Sequence, residues 1–379
     1  MQKSLTRRDF LESSAGAISI LGFSLVKSSQ AAEKQKIAEI PIIWISTGSC
    51  SGCSVSLLNT ASPDIQELLL AQVLPGKHLS LGFHATLMAA AGELAISTLE
   101  KYAHDHKGNY VLVVDGATAS KDEGLCCGIG ETKDGRTITG YEHVRDLGRN
   151  AQAVLAVGAC AAFGGIPAAG PNPSGALSVQ ELYKRDGIDT PVVNIPGCPP
   201  HPDWIVGSVA ALLLGGLKAL QLDDMSRPKL FFSECIHDNC PYRGHFDRGD
   251  FAEHFGEHGC LIKLGCKGPI TYADCPTRKF NNGTSWCCEA GHPCIGCCHP
   301  DFPFEDSMFK PVEAAGLSFP QVYYGAEQTD TKKKADAGIY ATVGLIGAAG
   351  FMAGVGVTAA AKKLKSQQAD EKKTESDSQ

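Results

Sequence analysis

Between His237 and Cys298 the chain carries nine of its 16 cysteines, and this crowding constrains the fold more than any other feature. The thiols fall as His237-x-x-Cys240, Cys260-x5-Cys266, Cys275, Cys287-Cys288 and Cys294-x-x-Cys297-Cys298, with Gly, Pro, Asn and short charged runs between them. Few apolar periods run through the segment. It cannot bury enough hydrocarbon to hold itself together, so covalent sulfur or metal must do it. Disulfides suit small secreted scaffolds. Zinc asks for four ligands in paired hairpins. Iron–sulfur clusters need larger thiolate sets and tolerate a scattered fourth ligand, because a cluster is larger than one ion. The spacing favours clusters and leaves the other two open.

Residues 1–32 are set aside as an export signal. Ser4-Leu5-Thr6-Arg7-Arg8-Asp9-Phe10-Leu11 has the form of a twin-arginine motif, an apolar run follows from Ala15 to Val26, and Ser29-Gln30-Ala31 offers a small-residue cleavage site. That route carries folded proteins. Thiols already committed to metal before export cannot pair outside, which weighs against disulfides. The net charge is −7 and no basic patch with interleaved aromatics appears, so nucleic acid is not an expected partner. About 300 residues remain between signal and tail, enough for about two domains.

From residue 40 to residue 222 the pattern is strand, loop, helix, repeated. Ile42–Ile45, Val111–Val114, Val154–Val157 and Val192–Ile195 are continuous apolar runs, and a helical period covers Ala85–Tyr102. Such runs mark strands buried on both faces, which predicts a flavodoxin-like, doubly wound parallel sheet. Ligands in these folds bind beyond the carboxyl ends of the strands. Three of the four exits carry cysteine, at Cys50 and Cys53, at Cys160 and at Cys198. Four thiols at one rim make one candidate cluster site, weighed against buried thiols serving as small apolar residues. The adjacent pair Cys126-Cys127 is expected to pack or make backbone contacts nearby.

A smaller, irregular cysteine-rich domain is expected over residues 223–328. By sequence neighbourhood, His237, Cys240, Cys260 and Cys266 form one set of four, and Cys275, Cys287, Cys294 and Cys297 another. With the first domain that gives three iron–sulfur clusters, leaving Cys235, Cys288 and Cys298 to pack or to stand just behind the ligands. Residues 337–361 are uncharged, flanked by lysines, and about 37 Å long as a helix at ~1.5 Å per residue, enough to span a bilayer once. Gly350-x-x-x-Gly354 offers a close-approach face to another membrane helix. Residues 362–379 read as a charged tail.

Taken together, the chain resembles the small subunit of a membrane-bound, periplasmic nickel–iron uptake hydrogenase. The likeness rests on the leader, Cys50-x-x-Cys53, Gly158-Ala159-Cys160-Ala161-Ala162-Phe163-Gly164-Gly165, Pro196-Gly197-Cys198-Pro199-Pro200-His201-Pro202, Leu264-Gly265-Cys266-Lys267-Gly268-Pro269 and His292-Pro293-Cys294-Ile295-Gly296-Cys297, in this order. The resemblance implies electron transfer to a membrane quinone-reactive or cytochrome subunit, or to a periplasmic acceptor. The electrons would come from a nickel–iron large subunit that splits hydrogen. It implies a proximal cluster on Cys50, Cys53, Cys160 and Cys198, a medial cluster on Cys275, Cys294 and Cys297, and a distal cluster on His237, Cys240, Cys260 and Cys266.

Many members have proline where a fourth medial ligand would stand. Here Cys287 follows Trp286, as in the nickel–iron–selenium branch, so all three clusters are expected to be four-iron, the medial one three-iron only if Cys287 is not a ligand. Gly52 and Gly165 stand where oxygen-tolerant members add cysteines, and Ser49 stands where many members have glutamate. Two alternatives remain. One is a stand-alone electron carrier or structural cluster module. The other is the cluster-bearing part of a complex-I-like quinone reductase, which has a similar first domain.

Overall fold

The computed structural model describes residues 38–311, apart from 62, 66, 68–71, 75, 76 and 306. The leader, the candidate membrane helix 337–361 and the tail lie outside the described residues. Among those described, no helix is long and apolar enough to cross a membrane.

Six strands build one sheet: β1 (Ala38–Ser46), β2 (Gln72–Leu74), β3 (Lys77–His84), β4 (Val111–Asp115), β5 (Ala153–Val157) and β6 (Val192–Ile195). They lie in the order β2-β3-β1-β4-β5-β6, parallel except for the antiparallel edge strand β2. Leaving out that edge strand, the order is 2-1-3-4-5, with the switch point between β1 and β4.

Register matters most here. Ser46 pairs with Asp115, Asp115 with Val157, and Val157 with Ile195. Four strands therefore end in one row, and the loops leaving them stand side by side.

Side chains alternate across this sheet and both faces are buried, which is why these strands read as unbroken apolar runs. Ile43, Ile45, Leu112, Val114, Val154 and Ala156 pack on one side against α2 (Gly92–Asp105), α3 (Gly140–Asn150), α4 (Ala159–Phe163) and α5 (Val179–Asp186). Ile42, Trp44, Val113, Leu155, Val157, Val193 and Ile195 pack on the other, against α1 (Gly52–Leu58) and α6 (Pro202–Gly215). Capping boxes start α3, with Thr139 and Glu142, and α5, with Ser178 and Glu181.

The cysteine-rich segment shares that second core. Phe231, Phe232, Ile236, Leu261 and Trp286 pack with Trp204 and Ile205 of α6. Polar bonds fix the join: Trp204 Nε1 donates to Asp274 at 2.8 Å, and Arg278 reaches both Asp274 and Asp203, at 2.8 and 3.0 Å. Asp274 immediately precedes Cys275, so α6 positions that cysteine.

The helix expected over Ala85–Tyr102 begins later, at Gly92, and an unexpected strand, β3, ends at His84. Leu79, Leu81 and Phe83 of β3 alternate with polar residues, so it lacks the unbroken apolar signature. Gly82 further dilutes it, for a packing reason. A Cβ at Gly82 would stand 2.2 Å from the Tyr102 ring, whose hydroxyl crosses the strand to donate to the Ser80 carbonyl at 2.8 Å.

Candidate functional site

The row of strand ends becomes a row of thiols. Thr47 N–H donates to Asp115 O at 2.8 Å and Gly48 N–H to Ala117 O at 3.0 Å, tying the loop after β1 to the loop after β4. Ser51 then turns through φ 64 and α1 begins, leaving Cys50 exposed and Cys53 buried. Gly158, at φ +92, follows β5 without a side chain, and a Cβ there would lie 2.6 Å from Cys53 Sγ. Its neighbour N–H, from Ala159, donates to Gly197 O at 2.8 Å, which draws the Cys160 and Cys198 loops together.

Cys50, Cys53, Cys160 and Cys198 are close enough to influence one another's charge. Burial pushes Cys160 up to about 11, with Cys50 adding to it. It pushes Cys198 up to about 12, with Cys297, Cys160 and Cys50 adding. Cys53 is pushed up further, by burial first and then by the Asp115 carboxylate. A set of thiols that resists ionising alone takes up thiolate character when a cation replaces the protons.

Asp115 is the residue that sequence reasoning missed here. It sits at the switch point, 1% exposed, accepting from Ser49 Oγ at 2.9 Å and Ser54 Oγ at 3.3 Å. Burial raises its carboxyl above the ordinary range, against the hydrogen bonds from Ser49, Cys53 and Ser54. A buried acid at a strand exit was the available signal.

The second set is Cys275, Cys287, Cys294 and Cys297, of which Cys297 lies near Cys198 of the first. Cys287 is near Cys297 and Cys275, and Cys294 is near Cys266, Cys297 and Cys275. Cys275 and Cys294 are buried, while Cys287 is exposed. The third set lines one small cavity: His237, Cys240, Cys260 and Cys266, together with Ile236, Tyr242, Leu261, Gly268 and Cys288. His237 is 7% exposed, its ring meets Phe246 edge-on at 4.6 Å, and its buried Nε2 has no hydrogen-bond partner. A buried ring nitrogen without a partner costs free energy unless something there accepts its lone pair or proton.

Two close approaches step from set to set: Cys297 lies near Cys198, and Cys266 lies near Cys294. Lys267 supports the second step. Its N–H donates to Cys294 O at 2.7 Å, and its buried ammonium donates to the carbonyls of Gly265, Met308 and Lys310 beneath the Phe304 ring. The remaining cysteines go elsewhere. Cys235 Sγ donates to Gly268 O, Cys298 Sγ to Pro196 O, and Cys127 O accepts from Gly140 N–H at 2.8 Å. Cys126 is exposed.

All 16 thiols are free, which leaves no disulfide framework. Among the described residues, no three His, Cys, Asp or Glu side chains gather tightly enough to hold one ion, as a zinc site would require. The donors of the third set stand around a cavity instead. Fold and sites together define a class: an α/β protein whose thiol sets suit redox clusters.

Comparison with known proteins narrows the class. Residues 232–310 match the family described as the C-terminal part of the NiFe/NiFeSe hydrogenase small subunit, and residues 50–212 match the 20 Kd subunit of NADH ubiquinone oxidoreductase. The periplasmic NiFeSe hydrogenase small subunit of Desulfomicrobium baculatum is 43% identical over 321 residues, covering 82% of this chain and 100% of that one. The quinone-reactive Ni/Fe-hydrogenase small chain of Wolinella succinogenes is 38% identical over 342 residues, covering 87% and 91%. A solved structure of the H2-activated Dm. baculatum NiFeSe hydrogenase is similar at TM-score 0.68 and 44% identity, covering 73% of this chain and 100% of that one.

The chain belongs to the NiFe/NiFeSe hydrogenase small-subunit family. It is the iron–sulfur, electron-transferring subunit, and the hydrogen-splitting site lies in the large subunit with which it pairs. The match to the NADH ubiquinone oxidoreductase family spans only residues 50–212, so it reflects the α/β half.

Proposed function

We propose that the chain holds three iron–sulfur clusters in line and passes electrons from the large subunit to an acceptor at the membrane. Cys50, Cys53, Cys160 and Cys198 would hold the proximal cluster, Cys275, Cys287, Cys294 and Cys297 the medial, and His237, Cys240, Cys260 and Cys266 the distal. When bound, each cluster supplies a one-electron redox site. The observation that carries this reading is the His237 ring nitrogen, buried without a partner in a cavity lined by three of the thiols assigned with it.

The protein's part is to order the sets and keep them dry. Cys198 lies near Cys297, and Cys294 near Cys266, which supports the order proximal, medial, distal. Lys267 holds a positive charge beside Cys266 and Cys294, offsetting the negative charge of thiolate-ligated cores. Trp204, Phe231 and Trp286 exclude water from the shared core.

Residues 1–32 would direct export by the twin-arginine route, and residues 337–361 would anchor the exported protein as a single membrane span beside a quinone-reactive or cytochrome partner. The Wolinella relative, named quinone-reactive, supports that partner class. The test is the composition of the complex purified through this chain. The proposal expects nickel in the partner and about 12 irons on this chain, four for each cluster. A nickel-free preparation, or about four irons alone, would overturn it.

A further inference from the structure

The cavity assigned to the distal cluster contains a fifth donor. Cys288 is 2% exposed and lines that cavity beside His237, Cys240, Cys260 and Cys266. Its thiol opens on the same cavity as the sulfurs of Cys240 and Cys266. Adjacent residues here differ: Cys287 is exposed, while Cys288 is buried and lines this cavity.

A four-iron core takes four protein ligands, one per iron. The partnerless His237 nitrogen and three thiols already supply them. A fifth thiol, buried in the same cavity as those ligands, is left with the chemistry of a hydrogen-bond donor. Such bonds to ligand sulfur draw off negative charge and favour the reduced cluster.

We propose that Cys288 is a positioning residue of the distal cluster, donating its S–H to the ligand sulfurs of Cys240 and Cys266 and thereby raising that cluster's reduction potential. The inference rests on the cluster assignment made above. It gives Cys288 a role distinct from the ligand role of its neighbour Cys287.

The experiment is a redox-poised EPR titration of the intact complex, with iron analysis, for the wild type, Cys288→Val and Cys288→Ser. Valine fills the space without a donor, and serine keeps one. Iron content should be unchanged in both. The distal midpoint should fall in Cys288→Val by an amount equivalent to about a tenfold change in the reduced-to-oxidised ratio, ~59 mV for one electron. Cys288→Ser should retain most of the wild-type value. Should the valine variant not assemble, Cys288→Ala carries the same expectation. An unmoved midpoint, or equal shifts in the valine and serine variants, would overturn the role of Cys288 alone. Loss of about four irons with the distal signal would make Cys288 a ligand and overturn it too. A wild-type complex without any distal signal would overturn the cluster assignment itself.

Discussion

In the proposed assignment, Cys287 occupies the corner on which the iron count of the medial set turns. Three thiolates hold a three-iron core, and a fourth allows the cubane to close, with a different net charge and a lower potential. Cys287 is exposed while Cys275 and Cys294 are buried, so it is the member of its set that can change with least disturbance to packing. Its carbonyl accepts from His292 N–H at 2.9 Å, a bond that proline would keep. Cys287→Pro should therefore fold and yield a three-iron EPR signal in the oxidised complex, where the wild type yields none. A full three-iron signal in the wild type would remove Cys287 from the medial set. The sequence made Cys287 conspicuous through its neighbours, whereas Cys288 and Asp115 gave no comparable sign. Their roles depend on which loops face one another, and that is decided by packing.

At the scale of elements, the aligned ends of β1, β4, β5 and β6 explain why cysteines distant in sequence share one rim. Gly158 tests that arrangement. An added methyl there meets Cys53 Sγ at 2.6 Å and also strains a backbone at φ +92, whereas Gly108, at φ +77, has nothing within 4 Å of the same position. Alanine at either site should cost about 1–3 kcal/mol for the positive-φ backbone. Only Gly158→Ala should also lose iron, by about four per chain. Thermal unfolding with iron analysis checks both, and equal iron in the two variants would contradict the packing argument. The strands of this rim were legible because Val111–Val114, Val154–Val157 and Val192–Ile195 are buried on both faces and so unbroken in sequence. Strand β3 was not, since its apolar residues alternate around Gly82. The late start of α2 was hidden as well, because the turn before Gly92 is as rich in Leu, Met and Ala as the helix.

For the whole molecule, sequence motifs located the cysteine-rich segment and its partner fold, but not the core they share. Trp204 with Asp274, and Phe231 with α6, join regions some 70 and about 25 residues apart, and no periodicity announces such contacts. The outer segments carry a separate expectation: truncation after Gln328 removes residues 337–361 and should release active complex into the soluble periplasmic fraction. Continued tight membrane retention would mean that another segment or subunit anchors it. The central claim is that electrons from hydrogen leave this chain through the set containing His237. The direct measurement compares two rates in the complex carrying His237→Cys: hydrogen–deuterium exchange, which reports the large subunit alone, and hydrogen-driven reduction of a soluble dye, which needs the whole relay. Replacing a neutral imidazole by a thiolate makes the distal cluster more negative and harder to reduce. Exchange should stay at the wild-type rate while dye reduction falls, about tenfold for each ~59 mV by which the distal potential drops. Dye reduction at the wild-type rate, with the cluster intact, would contradict the account.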